Sequence, residues 1–160
     1  MMALGQMGPA AKAAVSELVN LIEHSTGGGQ AILAFGQIGP GADAAVPALT
    51  KLLRGSDDTS TRLGVVHSLG RIGKASSVAA PDIVTFALRD LEQYPYGYTH
   101  KTCVAALIGI GEAAVKPSID IVRDGNAGQR FAAVQILRRL GPTAKSAVPV
   151  LVDFLSDVDD

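Results

Sequence analysis

Few residues of this 160-residue chain are of a type that does chemistry, and most of those few are isolated. All three tyrosines fall in one stretch, Tyr94-Pro95-Tyr96-Gly97-Tyr98. Tyrosine is favoured at binding hot spots, where it adds a large contact area, so Tyr94, Tyr96 and Tyr98 are candidate partner contacts. The alternative is a longer loop whose rings pack back over adjacent helix ends. Alanine at Tyr96 and Tyr98 separates the two, because a clear loss of thermal stability favours packing over binding.

Three histidines, His24, His67 and His100, are spread along the chain and are expected to be ordinary surface or partly buried side chains. The single Cys103 excludes an intramolecular disulfide framework and a multi-cysteine metal site. Gly27-Gly28-Gly29 lacks the Gly-Lys-Ser/Thr ending and the preceding strand of a phosphate-binding loop. It reads instead as a flexible connection. No catalytic, cofactor-binding or metal-ligating set is expected.

Composition narrows the partner class. Fourteen basic residues against fifteen acidic ones leave a formal net charge of -1. A nucleic-acid binder ordinarily carries a basic excess on one face, so no nucleic-acid partner is expected. No stretch of about eighteen apolar residues runs without charges or breakers, so no membrane partner is expected either. The first residues lack the charged start and long apolar core of a secretion signal, and a cytoplasmic location is the expectation. Nearly half of the residues are apolar (48%), yet there is no Trp; Ala, Val, Leu and Ile must carry the core.

What positions these residues is a recurring pattern, seen in Ala34-Phe35-Gly36-Gln37-Ile38-Gly39-Pro40 and its continuation to Leu53. Aligned on its second glycine, the pattern occurs at Gly8, Gly39, Gly73, Gly111 and Gly141, with spacings of 31, 34, 38 and 30 residues. Such periods are the signature of stacked supersecondary units. Each reads as helix, tight turn, helix: Leu63, Val66, Leu69 and Ile72 form an apolar stripe at helical spacing. Asp58 is placed to cap the helix N-terminus and Gly73 to end it in a left-handed C-cap. Pro47, Pro81 and Pro149, eight residues after the motif glycine, belong at the start of a second helix, where a missing N–H costs little. That helix is expected to hold Val78, Ile83, Phe86 and Leu88 among its apolar residues in the third unit, with Ile83 beginning its buried stripe. Pro117 follows Gly111 by six residues, so the fourth turn is expected to be two residues shorter, and Ile108 replaces the first glycine. Cys103 aligns with Ala31, Val65 and Ala133, a small core position.

Ala3-Leu4-Gly5-Gln6-Met7-Gly8-Pro9 and Ser68-Leu69-Gly70-Arg71-Ile72-Gly73 resemble bacterial HEAT-like repeats, including those named after phycobilisome lyases. The resemblance spans essentially the whole chain. It implies an all-α right-handed superhelix of about five helix pairs, the first incomplete, with units at about 1–24, 25–55, 56–93, 94–124 and 125–160. Second helices would line a concave face, the usual partner surface. Family members carry an arginine eleven residues before the motif glycine; Arg62 and Arg130 match, whereas His100 and Gly28 depart. Bonding to the loops between units would occupy those arginines. HEAT-like di-iron hydroxylases use repeated His-Glu pairs, and this chain has only the reversed Glu23-His24.

The expected function is a non-catalytic protein–protein interaction scaffold. It would bind its partner on the concave face, where Lys51 and Asp82 are candidates, or through the Tyr94–Tyr98 loop. A bilin-lyase-related subunit that binds a tetrapyrrole is the alternative. The ends lack polar capping units, which predicts either a longer array, of which this chain is an excerpt, or end-to-end self-association.

Overall fold

A computed structural model describes residues 14–24, 28–89 and 97–156. The described residues are helical throughout their regular structure, with no strand among them. Among the described residues nine α-helices run in order: α1 (Val15–His24), α2 (Gly28–Ile38), α3 (Val46–Gly55), α4 (Thr59–Ile72), α5 (Ala80–Leu88), α6 (Tyr98–Ile110), α7 (Val115–Asp124), α8 (Ala127–Leu140) and α9 (Val148–Ser156). Short 3-10 turns precede α3, α5, α7 and α9. Helices α2, α4, α6 and α8 each contact the next of that set, and α1, α3, α5, α7 and α9 do the same. The described helices therefore form two rows, joined by contacts such as α4 with α3 and α8 with α7. Three of the expected unit limits, after 24, 55 and 124, fall at helix ends.

Local chemistry sets the helix starts. The Asp58 carboxylate accepts bonds from the Ser60 and Thr61 amides and, at 2.6 Å, from the Thr61 hydroxyl. These bonds favour the charged carboxylate and hold its pKa below the usual value. Asn126 starts α8 with a full capping box: its side chain accepts from the Gln129 amide while the Gln129 side chain accepts from the Asn126 amide. Pro47, Pro81 and Pro149 are the second residues of α3, α5 and α9, as the sequence expects.

Four local expectations need correction. Gly73, Gly111 and Gly141 do have positive φ, but with ψ between -131° and -135°. That is not the left-handed cap; it lies toward the extended positive-φ region that is essentially closed to residues with a Cβ. The fourth turn is three residues shorter, not two: Val115 begins its helix four residues after Gly111, while Val46 does so seven after Gly39. This register puts buried Ser118 where α3 has buried Leu49, and the Ser118 hydroxyl turns back to the Ala114 carbonyl at 2.8 Å. Gly28 and Gly29 are not a connection but the first turn of α2. Val78 lies not in the second helix but in the 3-10 turn before it, and is exposed, whereas Ile83, Phe86 and Leu88 lie in α5 and are buried.

One continuous apolar core fills the space between the rows. Within the row of α2, α4 and α6, small residues let helices come very close. A Cβ added to Gly36 would lie 3.0 Å from Ser68 Oγ, and one on Gly70 would lie 2.5 Å from Ala106 Cα. Ser68 fastens the first contact by donating to the Ile32 carbonyl at 2.7 Å. In the fourth unit Ile108 holds the equivalent position, and the neighbouring Gly109 makes the close approach, with no room for a Cβ against the Gly70 carbonyl.

Candidate interaction surfaces

On the row of second helices, Lys51 is exposed and lines an open groove of about 490 Å³ with Pro47, Thr50, Arg54, Gly55 and Val78. Asp82 is half-buried and already engaged: Arg54 donates to its two carboxylate oxygens at 2.8 and 2.9 Å. That bidentate pair links α3 to α5, so the structure gives Asp82 a role between neighbouring units. Tyr94 and Tyr96 lie outside the described residues. Tyr98 opens α6 with a relative exposure of 76%.

Tyr98 belongs to a surface that the sequence reading did not single out. A groove of about 350 Å³ between α4 and α6 is lined by Tyr98 together with His67, Arg71 and Lys101. A second, of about 390 Å³ between α6 and α8, joins Lys101 and Arg139 to the apolar Val104 and Ile108. The four helices of this row hold Arg62, Arg71, Lys101, Arg130, Arg138 and Arg139 and no Asp or Glu. The other row mixes signs, with Lys51, Arg54, Asp82, Lys116, Asp120, Arg123, Asp124 and Asp153 among its residues. A near-neutral chain thus has a one-signed row. The signal was in the sequence: sorting charges by first and second helix of each unit reveals it, whereas the total hides it.

Residues at the arginine position are tied inward. Arg130 Nε donates to the Gly125 carbonyl at 2.7 Å, in the loop before its helix, as expected. Arg62 differs, lying over the Phe86 ring with 5.6 Å from Cζ to the centroid. His100 is buried at the same position and donates to the Ala87 carbonyl. Its pKa is lowered, first by desolvation and then by nearby Arg139, with the Ala87 bond opposing. Cys103 is fully buried, in line with Ala31, Val65 and Ala133, which are equally buried. Burial pushes its thiol up to about 12, so it is held protonated and behaves as a small hydrophobe. No group of three or more His, Cys, Asp or Glu among the described residues is placed to hold a metal ion. No helix among them is long and apolar enough to cross a membrane.

The free edge of α9 is apolar. Val148, Val152 and Leu155 share one helical face and are exposed, Leu155 at 63%. Their counterparts in α3 are buried, Leu53 to 4%, as are Ala80, Val84 and Ala87 in α5. Comparison with protein-family models, curated proteins and solved structures finds no match to this chain.

Proposed function

We propose that this chain is a non-catalytic interaction scaffold of the HEAT-like kind, its helix pairs wound into a right-handed superhelix that binds a protein partner. The observation that carries the reading is the two-row order of the described helices, in which each helix touches the next of its row. Such an order closes the core between the rows and leaves long, open surfaces outside it, which is how stacked repeats offer extended binding faces. The described grooves on both rows are open to solvent, with Lys51 on one and Tyr98 on the other. The apolar edge of α9 supports end-to-end contact as well, since its register repeats that of faces buried elsewhere between units. Photocrosslinking from positions 51 and 98, against Asp43 in an exposed turn, tests the reading. A discrete protein adduct from either position is the expected result. No adduct together with a measurable catalytic turnover would sink it.

A bilin-lyase-related role keeps one supporting observation, the cations Lys101 and Arg139 beside the apolar Val104 and Ile108. Propionates and a ring face would need such a lining. Titration with a bilin, giving no shift in its absorbance, would count against this second reading.

A further inference from the structure

We infer that the row of α2, α4, α6 and α8 binds an acidic peptide segment carrying apolar side chains, seated across α6 in the two grooves that flank it. The inference rests on the scaffold reading but places the partner on the row of first helices, away from the Lys51 side, and names its chemistry. Three observations converge on α6. The first is charge: Arg71, Lys101 and Arg139 line the grooves, and no carboxylate among the described residues accompanies them there. These three side chains are exposed, and the ion pairs formed among the described residues, Arg54–Asp82 and Lys116–Asp120, lie in the other row. Arg71 Nε also donates to the Gly36 carbonyl at 3.3 Å, but no carboxylate among the described residues neutralises the three cations, so their charge is available to a ligand.

The second observation is the apolar content of the same grooves. Tyr98 stands exposed at one side of α6, while Val104 and Ile108 line the other. A hot spot needs such an anchor beside its charges, because charge alone steers more than it holds. The third is the cause of the second groove. The small residue that seats α2 on α4 and α4 on α6 is Gly36 or Gly70, whereas α6 presents Ile108 at that position to α8. A branched side chain there keeps α8 from the same close approach and leaves a cleft beside it. Lys101 and Ala105 line both grooves, so one extended segment crossing α6 would meet both. A nucleic acid fits less well: the chain is net negative overall, and only a handful of cations face the grooves.

The test is fluorescence anisotropy of the whole chain with a labelled peptide of glutamates flanking a Leu-Phe pair, at low and high NaCl. A labelled single-stranded oligothymidylate serves as the competing probe. The peptide is expected to bind, and Lys101→Glu with Arg139→Glu to weaken it at least about tenfold. Arg71→Gln and Ile108→Ala should each weaken it less, while Lys74→Glu in an exposed turn should leave it unchanged. Thermal melts verify that each variant folds, and Lys101→Gln with Arg139→Gln supplies a gentler pair where reversal does not. Absence of binding at low salt, or binding indifferent to these substitutions, overturns the inference. Tighter binding of the oligonucleotide, lost in the same variants, overturns it in favour of nucleic acid. A protein adduct from position 51 together with no peptide binding at low salt would leave the scaffold reading standing while this one fell.

Discussion

At the scale of the residue, His100 shows how a departure from a repeated pattern is absorbed. Its counterparts Arg62 and Arg130 stack on Phe86 and bond to the Gly125 carbonyl respectively. A buried imidazole beside Arg139 instead does better neutral, donating one N–H to the Ala87 carbonyl. Its folded pKa therefore lies below the ordinary 6.5. Above 6.5 both folded and unfolded forms are neutral and the contribution is complete. Below it the unfolded chain takes up a proton that the folded protein resists, so stability declines until the folded group titrates too. Urea unfolding at a series of pH values between about 7 and 5 should show this decline. His100→Gln keeps a donor for Ala87 without the titration, and its decline should be shallower. An identical pH profile for the two proteins would refute the assignment. The sequence exposed His100 as an exception but gave no hint that it was buried, because burial at that position depends on α5 and α8 coming together around it.

At the scale of the element, much was legible. The helix–turn–helix rhythm, the Asp58 cap, the proline positions and the small core site at Cys103 all follow from local chemistry written in neighbouring residues. The first glycine of the motif was harder to interpret. Gly36 and Gly70 are contact points where one helix touches the backbone of another, and no single sequence says which helices approach. This yields a paired prediction. Gly70→Ala must push α6 away from α4, since the new Cβ would sit 2.5 Å from Ala106 Cα. Overpacking of that kind costs about 1–3 kcal/mol, against roughly 1 kcal/mol gained in helix propensity. Gly64→Ala, in the same helix, meets only Ile32 Cγ2 at 3.4 Å and should keep most of that gain. Thermal melts should move in opposite directions for the two variants. A Gly70→Ala protein as stable as Gly64→Ala would mean that the close packing of α4 on α6 does not exist in solution.

At the scale of the whole molecule, the sum of charges and their arrangement give opposite impressions. A total of -1 reads as electrostatically indifferent, yet one row of helices holds six Lys and Arg with no Asp or Glu, while its neighbour mixes signs. The total conceals this because acidic residues elsewhere in the chain cancel it arithmetically, not spatially. Crowding like charges on one side raises the folded state's own electrostatic energy, and salt relieves it. The Debye length shrinks from about 30 Å at 0.01 M to about 3 Å at 1 M, so repulsion between Lys101, Arg138 and Arg139 should fade as NaCl rises. The two ion pairs among the described residues of the other row, Arg54–Asp82 and Lys116–Asp120, weaken too, but Arg54, Lys116 and Asp120 are exposed and only Asp82 is half-buried, and pairs at the surface contribute little. The Tm is therefore expected to rise with NaCl, a chloride salt being chosen so that the preferential exclusion shown by sulfate does not produce the same trend. Replacing Arg71, Lys101 and Arg139 together by glutamine should raise the low-salt Tm and flatten its salt dependence. A wild-type Tm that falls with salt, or a triple variant that keeps the full salt response, would show that the row's charges are too far apart to act as one surface.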